Sequence, residues 1–162
     1  MRLSQRLRAA LALEPAAPPI EGDLPDLRAQ ATVRAAVLIA ITDQPEPGVV
    51  LTVRREDMRT HAGQIAFPGG RIDAGETPVD AALREAHEEL LIDSNSVDVV
   101  GELQAYRTVT GYIITPIIGV IPPDLPLIPH EHEVADWFEA PLAHLLDPAN
   151  QHIRSQIGRA HV

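Results

Sequence analysis

The chain has 162 residues, 45% of them hydrophobic, and its 23 acidic and 13 Lys or Arg side chains give a formal net charge of −10. That length and composition suit one domain with a real core and argue against global disorder, while the acidic balance and scarce aromatics argue against nucleic-acid binding. The absence of cysteine removes disulfides, zinc fingers and thiol chemistry, and the longest apolar run, residues 35–41, is far too short to span a bilayer, so a cytoplasmic protein with no membrane partner is expected.

Residues 1–13 carry Arg2, Arg6 and Arg8, with no acid before Glu14. An Arg-rich, acid-free start occurs in mitochondrial presequences, but Leu3, Leu7 and Leu11 at four-residue spacing favour an ordinary amphipathic helix. Pro15, Pro18, Pro19 and Pro25 then mark an extended lead-in, so residues 1–30 precede the main domain. Val33 to Thr42 reads as a buried strand, and the turn Pro45-Glu46-Pro47-Gly48 leads into a second strand, Val49 to Val53, as a hairpin. Residues 54–77, rich in Gly, Arg and Asp, read mostly as functional loop. Pro78 to Leu91 is the clearest helix, with Thr77 as its cap and Pro78 in its first turn. Two strands fit residues 97–106 and 112–121. A proline-rich loop over 122–129 precedes a strand at 134–139 and a short helix at 141–146. Strands around one strong helix indicate a sandwich of the α/β class.

The helix carries the chemistry. With Glu85 at zero and roughly 100° per residue, Glu88 falls near 300° and Glu89 near 40°, so three carboxylates share a face. Val79, Ala82, Leu83, Ala86 and Leu90 occupy roughly 60° to 160°, which predicts one apolar side and one acidic side. Like charges at this spacing destabilise a helix, and a cation removes that cost. Oxygen ligands without His or Cys favour Mg²⁺ or Mn²⁺ over zinc. Just upstream, Phe67-Pro68-Gly69-Gly70 lets backbone approach a ligand closely. Glu76 and Arg84 bracket the helix start, where Arg84 can pair with Glu76 or Glu88.

Gly70, five residues, Glu76, seven residues and then Arg84-Glu85-Ala86-His87-Glu88-Glu89 closely resemble the Nudix box, GX5EX7REUXEEXGU. Leu91 stands where the family has a glycine, followed by the apolar Ile92. The left-handed conformation usual there disfavours Leu by roughly 1 kcal/mol, so the helix is expected to run on to Asp93 or Ser94. The resemblance implies a Nudix α/β/α sandwich with a mixed sheet and a metal-dependent hydrolase of nucleoside diphosphates linked to another group. It implies Glu85 and Glu89 as metal ligands, Glu88 as a further ligand or the base, the Gly70 carbonyl in the same shell, and Arg84 and Glu76 in the catalytic machinery. His87 is expected on the helix flank.

Leu51-Thr52-Val53-Arg54, Arg59, Gly63 and Phe67-Pro68-Gly69-Gly70 further resemble the coenzyme A diphosphatase signature LLTXRSX3RX3GX3FPGG, with Val50 at the first Leu and Arg55 at the Ser. Thr110-Gly111-Tyr112, Thr115-Pro116, Glu133, Pro141-Leu142 and Leu145-Leu146 extend the likeness over about residues 33–150. The implied substrate is coenzyme A or a derivative, cleaved to 3′,5′-ADP and 4′-phosphopantetheine, with Arg54, Arg59, Gly63, Phe67 and Gly69 binding it. Arg54, Arg55, Arg59, His61 and Arg71 offer a basic patch for its phosphates, or else simply balance Glu56, Asp57 and Asp73. Glu131 and Glu133 are alternative bases. His130, His132, His144 and His152 lie in no ligand spacing, and the loop holding His130 and His132 either covers the site or, as exposed loops usually do, simply carries polar residues. Two other readings remain open: the same chemistry on ADP-ribose, dinucleoside polyphosphates or nucleotides, and a non-catalytic nucleotide-binding domain.

The family continues past residue 150 with a strand and a closing helix. Here the chain ends Ile157-Gly158-Arg159-Ala160-His161-Val162, which matches one reading frame of a sequencing adapter. A truncated Nudix domain over 31–156 with a non-native tail at 157–162 is therefore expected, and an exposed sheet face or edge would favour a homodimer.

Overall fold

The structure, a computed structural model, describes residues 1–21, 32–59, 62–108 and 110–152. In chain order its elements are α1 (Leu3–Leu11), β1 (Ile20–Glu21), β2 (Val33–Thr42), β3 (Gly48–Arg54), β4 (Ile65–Ala66), β5 (Gly69–Arg71), α2 (Pro78–Leu90), β6 (Asp98–Glu102), β7 (Tyr106–Arg107), β8 (Tyr112–Ile121), β9 (Val134–Pro141) and α3 (Leu142–Leu146), with single 3-10 turns at Ser94–Ser96 and Pro148–Asn150. The expected tail at 157–162 lies outside the described residues, as does His61.

The strands form one mixed sheet. At its centre β2 runs parallel to β8, in register from Val33 opposite Tyr112 to Thr42 opposite Ile121. The hairpin expected between β2 and β3 closes only at its turn, where Ile41 faces Val49 and the Gly48 N–H donates to Thr42 Oγ1 (2.9 Å). Beyond that point β3 pairs with β9 and β4, and β5 takes the place beside β2. The segment 54–77 is therefore not only loop: β4 and β5 lie inside it, and the Leu38 N–H reaches the Pro68 carbonyl (2.8 Å). The expected strand 97–106 is likewise two strands, β6 and β7, which share the far edge of β8, and β1 joins β7 in parallel.

Register decides which face each helix covers. Leu38 faces Ile117 and Ala40 faces Gly119, and this side joins Ala36, Val50 and Ile121 in the core under Ala82, Ala86 and Leu90 of α2. Gly101 faces Ile118, on the opposite side of the sheet, and a Cβ added there would meet Leu11 Cδ2 at 2.6 Å. So α1 covers the second face, and α2, sheet and α1 form an α/β/α sandwich with a mixed sheet. Arg8 of α1 pairs with Asp98 and donates to the Val99 carbonyl (2.7 Å), which ties the Arg-rich start onto β6. No helix among the described residues is long and apolar enough to cross a membrane.

The end of α2 corrects one expectation. The helix stops at Leu90 and does not run on to Asp93, because Leu91 itself adopts the left-handed conformation (φ 56°). The Leu91 N–H bonds the His87 carbonyl (2.9 Å), and the turn delivers Ile92, 1% exposed, into the core. Burying a whole Ile side chain, worth roughly 1.5–3 kcal/mol, outweighs the strain at Leu91. Leu91→Gly should raise stability by about 0.5–1 kcal/mol, since relief of that strain exceeds the extra unfolded-state entropy of Gly. A denaturation midpoint that stays put or drops would show that the half-exposed Leu91 side chain contributes more than the strain costs.

Candidate active site

The start of α2 is built by a reciprocal cap: Thr77 Oγ1 accepts from the Asp80 N–H (3.1 Å) and Asp80 Oδ2 accepts from the Thr77 N–H (3.0 Å). Pro78 fills the first turn, where no N–H is needed. This fixes the phase of Arg84, Glu85, Glu88 and Glu89. Arg84 then locks the helix to the loop before it. Its Nε and Nη2 form a fork on Glu76 (2.7 and 3.1 Å), while Nη2 also reaches the Arg71 carbonyl (3.0 Å). Its Nη1 donates to Glu85 (3.0 Å) and, at greater length, to Glu88 (3.4 Å). The hydrogen bonds from Arg84 and from the Asp73 N–H hold the Glu76 carboxyl below its usual range.

The division of α2 into an apolar side and an acidic side needs revision. Ala81 is fully buried alongside Ala82, Ala86 and Leu90, so the buried arc runs from roughly 320° through zero to 140°. Glu85 and Glu89 lie inside that arc, and only Glu88, toward its outer edge, is well exposed. Burial raises the Glu85 carboxyl above its ordinary value. Burial, reinforced by Glu85, pushes Glu89 up to about 8 even though a Gly69 backbone hydrogen bond favours its charged form.

The two glycines before the helix have different tasks. A Cβ at Gly69 would stand 2.3 Å from the Ala36 carbonyl oxygen and 2.7 Å from Val37 Cα, so Gly69 permits β5 to lie against β2. A Cβ at Gly70 would meet Glu85 Oε1 at 2.4 Å, so Gly70 permits the carboxylate to fold over the strand. Gly69→Ala should therefore cost about 2–3 kcal/mol of stability, because fixed backbone cannot yield. Gly70→Ala should leave the melting temperature nearly unchanged, because a side-chain end can move, yet lower kcat about 100-fold by displacing Glu85. Equal losses of stability in the two variants would contradict this division.

The donor set fits a hard divalent cation. Burial raises two of the carboxyl groups even with Arg84 and Arg54 acting on them, so a further cation would favour their charged forms, and the oxygens offered come from carboxylate and backbone. Glu88 lies on Arg84 instead of beside Glu89, and among the described residues no three His, Asp or Glu side chains already converge as an ion cage. Arg84 supplies positive charge to Glu85 and Glu88, and Arg54 acts on Glu89.

Beside Glu89 opens a small cleft lined by Thr52, Arg54, Ala66, Phe67, Gly69, Glu133 and Val134. The upstream motif and the helix carboxylates thus meet in one place. Glu133 enters it close enough to act electrostatically on both Glu85 and Glu89, whereas Glu131 is exposed and turned toward His132. The rest of the expected basic patch disperses. Arg55 forks onto Asp57 (2.8 and 2.6 Å) and donates to the Glu131 carbonyl. Arg71 lies over the Tyr112 ring, 5.9 Å from its centroid, and Arg59 is exposed outside the cleft. Gly63 serves the turn between β3 and β4: φ is +68° and its N–H bonds the Arg54 carbonyl (3.1 Å). His87 Nδ1 lies 3.3 Å from the Ile92 carbonyl at the close of α2, and His144 contacts Asn150. Thr52 belongs to the upstream motif, whereas Val134, from the strand paired with it, has no signal in sequence beyond its strand character.

The carboxylates thus stand on one capped helix of an α/β/α sandwich, pinned by an Arg fork and faced by a glycine-bearing strand. Residues 32–157 match the family model described as NUDIX domain, and the chain belongs to the Nudix family. It is 52% identical over 120 residues to the uncharacterized Nudix hydrolase NudL of Escherichia fergusonii and 49% identical to that of Cronobacter sakazakii, each match covering 74% of this chain. The chain spans 62% of the length of these relatives. Among solved structures, a Nudix hydrolase from M. smegmatis, RenU, aligns at TM-score 0.59 with 24% identity, covering 69% of this chain and 72% of that one. A C. elegans Ap4A hydrolase aligns at TM-score 0.59 with 19% identity, covering 71% and 84%. These likenesses bear on the fold.

Proposed function

We propose that this domain hydrolyses the pyrophosphate bond of coenzyme A or its derivatives, releasing 3′,5′-ADP and 4′-phosphopantetheine. The observation that carries the reading is the single cleft in which Arg54 and Phe67 of the upstream motif adjoin Glu89 of the helix. Glu85 and Glu89, with the Gly70 carbonyl and Glu88, are the groups that would hold Mg²⁺ or Mn²⁺. When bound, the cation neutralises pyrophosphate oxygens and lowers the pKa of water.

The chain's own residues supply the rest. Arg84 holds Glu85 and Glu88 in place on α2 and, through Glu76, fixes the helix against its loop. Arg54 meets phosphate charge, and Phe67 offers a half-buried ring to the nucleotide. Glu88, or Glu133 in the cleft beside Glu89, takes a proton from water in this reading, supported for Glu133 by its lining the cleft, which Glu131 does not. Arg59 and Gly63 act, in this reading, at the outer end of the site.

Incubation of the chain with Mg²⁺ and equal amounts of coenzyme A, ADP-ribose and diadenosine tetraphosphate, followed by mass spectrometry, tests the proposal. The expected first product is 3′,5′-ADP. Earlier loss of another substrate transfers the same site to that substrate. A folded chain that cleaves none of the three would be a binding domain.

A further inference from the structure

A second depression adjoins the carboxylates on the side away from Arg54. It is lined by His87, Glu88, Leu91, Ile128, Pro129 and the residues 130–132. Its outer wall is the proline-rich loop, which is pinned to the end of α2: the Ile128 N–H bonds the Leu90 carbonyl (3.0 Å) and the His130 N–H bonds the Glu89 carbonyl (2.8 Å). The groove is thus continuous with the helix turn that carries Glu88 and Glu89. Leu91 and Ile128 are about half exposed (48% and 57%). His130 and His132 stand edge to face along the rim, with ring centroids 5.5 Å apart.

The charge of the two depressions differs. The cleft on one flank of Glu89 holds Arg54 and an aromatic ring. The groove on the other has no Lys or Arg in its lining and has two carboxylates, Glu88 and Glu131. A phosphate or a second nucleotide placed there would be repelled. An uncharged chain with aliphatic carbons and amide groups would find apolar contact on Leu91, Ile128 and Pro129, and hydrogen-bonding partners in the imidazoles.

We propose that this groove binds the uncharged, amide-bearing arm on the far side of the substrate's pyrophosphate, which in coenzyme A is the pantetheine arm. The inference rests on the proposed pyrophosphate hydrolysis at Glu85 and Glu89. A substrate lying across α2 then has its nucleotide beside Arg54 and Phe67 and its aliphatic arm beside Leu91 and Ile128. The polarity of the two flanks sets which end goes where.

The test reads binding separately from turnover. Methyl groups of the 162-residue chain are labelled, and pantetheine and 3′,5′-ADP are titrated in separate experiments. Pantetheine should shift the Ile128 and Leu91 methyls and leave those of Ala66 and Val134 in place, with 3′,5′-ADP giving the reverse pattern. Ile128→Asp should weaken the pantetheine response at least tenfold and raise KM for coenzyme A about tenfold, with kcat changed less than twofold. Pantetheine shifts confined to the Arg54 cleft, or none at millimolar concentration, overturn the inference. Shifts at Ile128 in a chain that does not hydrolyse coenzyme A leave the groove assignment standing and remove the proposed reaction instead.

Discussion

Glu89→Gln should lower Mg²⁺-dependent hydrolysis about 100- to 1,000-fold while making the metal-free protein more stable above pH 8. The loss of turnover corresponds to about 3–4 kcal/mol of transition-state stabilisation, the range expected when a cation loses a main ligand. The gain in stability follows from burial. Native Glu89 keeps its proton up to about pH 8, whereas in the unfolded chain it releases it near 4.5. Between those values the native state binds more protons than the unfolded state, so metal-free stability falls as pH rises from about 4.5 and levels off above about 8. Gln cannot ionise, and the variant should lose this part of the slope. Saturating Mg²⁺ should likewise remove much of it in the parent protein, because the cation binds the ionised form. Melting temperatures at several pH values, with chelator and with Mg²⁺, check both halves. A variant that melts lower than the parent at pH 9 in chelator would mean that the Glu89 carboxylate is stabilising as it stands.

The same residue marks the limit of what the sequence discloses. The spacing of Glu76, Arg84, Glu85 and Glu89 was legible because a helix has one period, and its caps, Thr77 and Pro78, are local. What the wheel did not disclose was the width of the buried arc. Ala81 is small enough to fit on either side of a helix, and only its packing into the core shows that it is covered, while the approach of β5 brings Glu85 and Glu89 into the buried zone. The insertion of β5 beside β2 is itself a long-range event: Gly69 and Gly70 read as loop residues because two strand residues of glycine carry no propensity. Leu91 was misread for a related reason. Local strain argued for a longer helix, and the burial of Ile92, which depends on sheet residues distant in the chain, decided otherwise. The charge of Arg55 was visible in the sequence, but its partner was a matter of loop geometry, and Asp57 claims it.

Arg84 should prove to be the residue whose loss damages both the fold and the reaction. Its guanidinium, 28% exposed, meets Glu76 in a fork, Glu85 and Glu88 through one nitrogen, and the Arg71 carbonyl through another. Arg84→Ala leaves Glu76 without its partner and returns Glu85 and Glu88 to mutual repulsion. Partial exposure and water discount this below the full cost of breaking a buried pair, so about 2 kcal/mol of destabilisation is expected. Activity should fall about 100-fold, since a carboxylate displaced by an ångström no longer meets its ligand. Arg84→Lys separates the two effects. An ammonium can neutralise Glu76 and recover much of the stability, but it has no planar fork and cannot span Glu76, Glu85 and the Arg71 carbonyl together. The Lys variant should therefore melt near the parent and still turn over at least tenfold more slowly, with its Mg²⁺ requirement shifted to higher concentration. Full activity in the Lys variant would show that charge alone suffices, and that the fork on Glu76 serves the fold and not the carboxylates that face the substrate.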